Sequence, residues 1–233
     1  MTNHPGTLST VEAGRRYTES RERITALVAD LAPGELARVV PATPGRTVRD
    51  LIGHLVGVPA DLEAGRLDGI ETPSWSQSQI DTLNRLDLET VLEQWSAMGP
   101  AIESLANGSV AVGDRLVGDV ACHEHDLRGA VARAGERDSA TVDQARQAAV
   151  LRLDERLSSA GVAGLHLRAG DTEWILGPTE PAATLTTEPF TLFRLLFGRR
   201  SRSQLASLAW SGDSGPYLDL LGQYPPAVTD LIE

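Results

Sequence analysis

Apolar residues recur at intervals of three and four through the first two-thirds of the chain and then switch to alternation, and this change of period constrains the fold most. Ile24, Leu27, Val28 and Leu31 place a helix over residues 9–31, which Ala32-Pro33-Gly34 ends. A second helix starts at Thr47, a good N-cap, with Asp50 three residues on in a capping-box pattern. Val48, Leu51, Ile52, Leu55, Val58 and Leu62 form its apolar stripe, and Pro59 is expected to kink it or end its regular part. A polar stretch over 68–79 precedes a helix over 88–105, a fourth over 113–134 and a fifth over 141–159. Beyond Gly161, Leu165-His166-Leu167-Arg168 and Trp174-Ile175-Leu176 flank Ala169-Gly170-Asp171-Thr172 as a β-hairpin. A strand over 183–187, a helix over 189–197 ending at Gly198, a strand or helix over 203–210 and a helical turn over 217–221 complete the reading. The expected class is α+β, with a four-helix bundle over 1–160 followed by a small α+β domain over 161–233.

Charge and cysteine usage narrow the function. The formal net charge is −11, which disfavours nucleic acid and anionic membrane as partners, since both select positive charge. All 21 basic residues are arginine, the mark of a high-GC coding sequence. Cys122 is the one cysteine, so no internal disulfide forms, and with no leader-like pattern in MTNHPGTLST the expected location is the cytoplasm.

The chemistry concentrates in the fourth helix. Asp119 and His123 are four apart, on one face, and Leu116, Val120, Leu127 and Ala130 around them turn that face inward. Asp126 lies on nearly the same face, whereas Glu124 and His125 read as exposed. An ionised group on a buried face requires a partner or a metal. His54, at the edge of the second helix's stripe, offers a third donor, and three donors with an open position form the catalytic rather than the structural zinc pattern. The spacing also fits an intrahelical Asp119–His123 pair, and His54 also fits a core histidine satisfied by a carbonyl. Asp50, one turn before His54, suits either an orienting partner for that imidazole or a cap. Cys122 reads as a small buried hydrophobe. Two shorter patterns lack their context: His123-Glu124-His125 has the wrong spacing for a zinc-protease helix, and Gly212-Asp213-Ser214-Gly215-Pro216 would need a double β-barrel to act as a serine nucleophile segment.

Two of these segments carry a family resemblance. Pro44-Gly45-Arg46-Thr47-Val48-Arg49-Asp50-Leu51-Ile52-Gly53-His54-Leu55 resembles the second-helix motif of DinB-like bundles. Asp119-x-x-x-His123-x-x-Asp126-Leu127-Arg128 resembles the other metal motif of the mycothiol-dependent maleylpyruvate isomerase family, whose members pair a DinB-like bundle with a sterol-carrier-protein-like α+β domain. Asp119 stands where the characterised isomerase has Glu, and Arg46 where Trp is common. The resemblance implies that His54, Asp119 and His123 hold zinc or another divalent ion whose open position takes the sulfur of mycothiol. The implied function is a thiol-dependent isomerase or S-transferase acting on a small electrophile, with a non-catalytic small-molecule-binding or interaction protein as the alternative. Arg199 and Arg200, after Gly198, are candidate catalytic residues that would hold a substrate carboxylate, or else helix-end charges favourable to the dipole.

Overall fold

The computed structural model of the chain describes residues 12–70 and 72–233. The start of the first helix at residue 9 and the reading of the first ten residues lie outside them. The described chain divides into two compact units, one up to Gly135 and one from Glu136.

The first unit is helical: α1 (Ala13–Ala29), α2 (Pro33–Leu36), α3 (Val48–Glu63), α4 (Pro73–Leu83), α5 (Leu88–Ala97), α6 (Gly99–Gly108) and α7 (Val110–Ala130). α1, α3, α6 and α7 pack on one another as the bundle, and α4 lies along α3. Its core includes Ile24, Val28, Leu51, Ile52, Leu55, Trp95, Ile102, Leu116 and Val120, all inaccessible or nearly so. Trp95 Nε1 donates to the Tyr17 hydroxyl at 2.9 Å, satisfying a polar atom that burial would otherwise strand.

The expected N-terminus of α3 is present. Thr47 Oγ1 accepts from the Asp50 N–H at 3.1 Å, and Asp50 Oδ2 accepts from the Thr47 N–H at 2.8 Å. Asp50 therefore caps, and its other oxygen accepts from Asn84 rather than orienting His54. Pro59 does not end α3, which continues to Glu63. Burial would raise the Asp50 carboxyl, but the Thr47 N–H and hydroxyl and the Asn84 amide outweigh it and hold the carboxyl below its ordinary range. A folded-state value below the unfolded one stabilises the protein above the unfolded pKa of about 3.9, and this contribution fades as pH falls through the lower folded value. Thr47→Ala is expected to cost about 1 kcal/mol in urea unfolding. Asp50→Asn should flatten the loss of Tm below about pH 4; an unchanged acid limb would rule the cap out as its source.

Three differences from the sequence reading concern helices of this unit. The stretch over 68–79 is not merely polar linker: Thr72 caps α4 and Pro73 begins it. The single helix over 88–105 is two, broken at Met98, where Gly99 and Pro100 start α6. The helix over 113–134 starts earlier, at Val110, and ends at Ala130.

The second unit holds α8 (Ala140–Ala160), β1 (Gly164–Ala169), β2 (Thr172–Leu176), β3 (Pro181–Thr187), α9 (Pro189–Leu196), α10 (Arg202–Ala206) and β4 (Ala209–Ser211). The sequence reading placed α8 in the bundle with a boundary near 160; its contacts place it here, against α9 and β2. Val150, Leu153 and Leu157 are fully buried, and Arg146 stacks over Trp174 of β2 at 5.6 Å. The sheet order is β2-β1-β3-β4. The hairpin forms with Ala169 opposite Thr172, while β1 and β3 run parallel. The segment joining β2 to β3 therefore crosses the start of β1, where Thr179 O would stand 2.1 Å from a Cβ on Gly164, so only glycine fits there. The span over 203–210 resolves into helix then strand, α10 and β4, and residues 217–221 form one hydrogen-bonded turn.

Candidate metal centre

α3 and α7 pack side by side. His54 on α3 thereby meets Asp119 and His123 on α7, which are one helical turn apart. His54 Nε2 is 3.8 Å and His123 Nε2 3.5 Å from Asp119 Oδ1. One donor atom from each residue lies within 4.8 Å of the others, and this is the one such cluster among the described residues. The two imidazoles meet edge to face, with centroids 5.3 Å apart and planes at 87°. Two ligands about 2.0–2.2 Å from one tetrahedral ion stand roughly 3.3–3.6 Å apart. The His123–Asp119 separation falls in that range and the His54–Asp119 separation lies just above it, so small side-chain shifts would let the three donors share one cation, and two nitrogens with one carboxylate oxygen are a donor set that zinc takes. The side chains of His54 and Asp119 keep 15% and 27% of their exposure, so the cluster is open to an incoming ligand.

Each imidazole is held by its far nitrogen. His123 Nδ1 donates to Asp126 Oδ2 at 2.8 Å, and the Asp126 side chain is fully buried. A carboxylate can only accept, so the proton sits on Nδ1 and Nε2 presents its lone pair to the cluster. His54 Nδ1 lies 3.2 Å from Gln79 Oε1 and 3.0 Å from Ser76 Oγ, both on α4. Sequence reasoning missed these two residues because it left α4 unread. The Thr72-Pro73 pair, an N-cap followed by proline at the first helical position, was the signal available.

Glu124 and His125 were expected to face solvent and are instead 1% and 4% exposed. Glu124 accepts from Arg23 Nε at 2.9 Å, from Arg128 Nη2 at 3.0 Å and from Ser20 Oγ. Burial alone would raise its carboxyl; Arg23 and Ser20 reverse that and hold it low. On α1, burial and the Asp119 charge push the Tyr17 phenol up against the opposing Trp95 hydrogen bond, so Tyr17 remains a neutral hydroxyl.

Cys122 is buried beside His123 and supplies no donor to the cluster. Arg199 and Arg200 lie in the second unit, after α9. Arg199 is 8% exposed and donates to Phe197 O at 2.7 Å; Arg200, half-buried, donates to Arg199 O at 2.6 Å.

No protein-family model matches the chain, and no curated protein matches its sequence. Two solved structures do resemble it. One is the mycothiol-dependent maleylpyruvate isomerase, at 12% identity and a TM-score of 0.54. The other is a mutant of that enzyme with a histidine replaced by alanine, at 14% identity and a TM-score of 0.56. Each alignment covers 82% of this chain and 90% of the other. The chain therefore shares the α+β fold of the mycothiol-dependent maleylpyruvate isomerase structures.

Proposed function

We propose that this chain is a thiol-dependent metalloenzyme, an isomerase or S-transferase of the maleylpyruvate isomerase family. In this reading His54, Asp119 and His123 hold a divalent ion, zinc by their donor set, and mycothiol is the thiol cosubstrate. The observation that carries the reading is the convergence of three donors from two helices, all within 4.8 Å of one another. The shared fold with structures of a mycothiol-dependent enzyme supports the choice of thiol. A bound divalent ion would hold a coordinating thiol as its thiolate at neutral pH. Two neutral imidazoles and one carboxylate leave such a site with net positive charge, which favours an anionic sulfur. The partial exposure of His54 and Asp119 gives that sulfur a way in. Adding the thiolate to an activated double bond would form a C–S bond and move the π electrons onto the activating group, leaving a single bond about which the substrate rotates before the sulfur departs; taking up the proton that the thiol had lost would retain the adduct and give S-transfer instead.

The test is metal content, followed by mass-spectrometric detection of mycothiol adducts over a panel of electrophiles. The parent should hold one zinc per chain and accelerate at least one adduct. A parent that takes up no divalent ion ends the metal reading. One that takes up zinc yet accelerates no adduct favours a small-molecule-binding or interaction protein on the same bundle.

Arg200 is the better of the two arginines to hold a substrate carboxylate, because Arg199 is buried and closes the end of α9. Arg200→Ala is expected to raise KM for an acidic electrophile about tenfold or more, the worth of a charge-assisted hydrogen bond. Its KM for a neutral electrophile should not move; an equal change for both would show that Arg200 reads no substrate carboxylate.

A further inference from the structure

The Gln79 side chain is 4% exposed, and its two amide atoms face different partners. Nε2 donates to Asp61 Oδ2 at 2.8 Å, and Oε1 lies 3.2 Å from His54 Nδ1. Asp61, on α3 and 8% exposed, accepts from Arg66 Nε through its other oxygen at 2.8 Å. An ion-paired carboxylate can only accept, so the Gln79 atom facing it must be the NH2 group. The carbonyl is then fixed toward His54, and a carbonyl also only accepts. His54 must therefore carry its proton on Nδ1, with Ser76 Oγ as a second acceptor at 3.0 Å.

The packing of α3 on α4 is shaped around this amide. A Cβ on Gly57 would stand 2.4 Å from Gln79 Cβ and 2.7 Å from its Cγ. Gly57 thus lets the Gln79 side chain lie flat on α3, although glycine inside a helix costs about 1 kcal/mol relative to alanine.

We infer that Asp61 and Gln79 are positioning residues for His54: the Asp61 carboxylate orients the Gln79 amide, and the amide keeps the His54 Nε2 lone pair turned toward Asp119 and His123. This rests on the metal reading for its purpose but not for its hydrogen-bond logic. The relay has a polarity, so reversing one member breaks it and reversing two restores it. In Asp61→Asn the residue at 61 can donate as well as accept, and the Gln79 amide loses its fixed orientation. In Asp61→Asn/Gln79→Glu the amide at 61 donates to the carboxylate at 79, which again only accepts from His54.

Two measurements test it. Long-range nitrogen–proton NMR of the metal-free protein reads the His54 tautomer, the signal being identified by its loss in His54→Ala. Competition with a chelator reads zinc affinity. The parent should show the proton on Nδ1. Asp61→Asn and Gln79→Leu should give mixed tautomers and zinc binding roughly tenfold to a hundredfold weaker, the usual effect of losing a partner behind a metal ligand. The double variant should recover both, and Arg66→Ala, which leaves the Asp61 carboxylate in place, should keep the parent tautomer. A parent with the proton on Nε2, or single variants with unchanged tautomer and affinity, would overturn the relay. If the tautomers move as stated while the parent binds no zinc, the relay stands and the metal reading fails.

Discussion

His123→Ala is expected to lose zinc and thiol-dependent turnover together, while Cys122→Ser keeps both. His123 Nε2 is one of three donors, and Asp126 holds its ring from behind at 2.8 Å. Losing only such a supporting partner weakens metal binding about tenfold to a hundredfold, so losing the donor itself should exceed that range. Cys122 precedes His123 on α7 and is turned about 100° from it around the helix axis. It is 2% exposed and stands outside the donor cluster, so serine there changes packing rather than chemistry. The contrast separates a sulfur brought by a cosubstrate from one carried by the protein. The assays are zinc stoichiometry and adduct formation with mycothiol, each on protein shown by circular dichroism to be folded. Adducts abolished by Cys122→Ser and untouched by His123→Ala would show that the nucleophile belongs to the chain.

Glu124→Ala should destabilise the helical bundle by about 3–5 kcal/mol, the cost of leaving buried charges without their counter-ion. The Glu124 side chain is 1% exposed, and its two oxygens gather Arg23 and Ser20 from α1 and Arg128 from α7. Truncation removes the shared acceptor of three residues at once and leaves two largely buried guanidinium groups without their counter-ion. Glu124→Gln should cost less, because the amide oxygen still accepts from one arginine. Urea unfolding in the presence of a chelator isolates this effect from any metal. A loss below about 1 kcal/mol would show that Arg23 and Arg128 find water or other acceptors, as surface ion pairs do.

The sequence determined what repeats locally. The stripe on α3, its Thr47–Asp50 cap, the hairpin around Gly170 and the one-turn spacing of Asp119 and His123 are set within a few residues of one another, and each is present. Periodicity reports which face of a helix is apolar, and that sufficed to turn Asp119 and His123 inward. It could not tell that a second wall covers the far side of α7. There Glu124 is buried because α1 packs against that helix and brings Arg23 to neutralise the carboxylate and Ser20 to donate to it.

Long-range packing decided the rest. α8 has the same helical period as the bundle helices, and only its contacts with α9 and β2 assign it to the second unit. The partner of His54 was likewise invisible in one dimension. Asp50 and Asp61 are both on α3, yet the imidazole is oriented from α4, by a glutamine 25 residues further along the chain. That glutamine reaches His54 because Gly57 leaves the surface of α3 bare beneath it. A candidate donor can be read from its type and spacing, since donor chemistry is intrinsic to the side chain. Which of its atoms faces the site depends on hydrogen-bond partners that meet only when the helices pack.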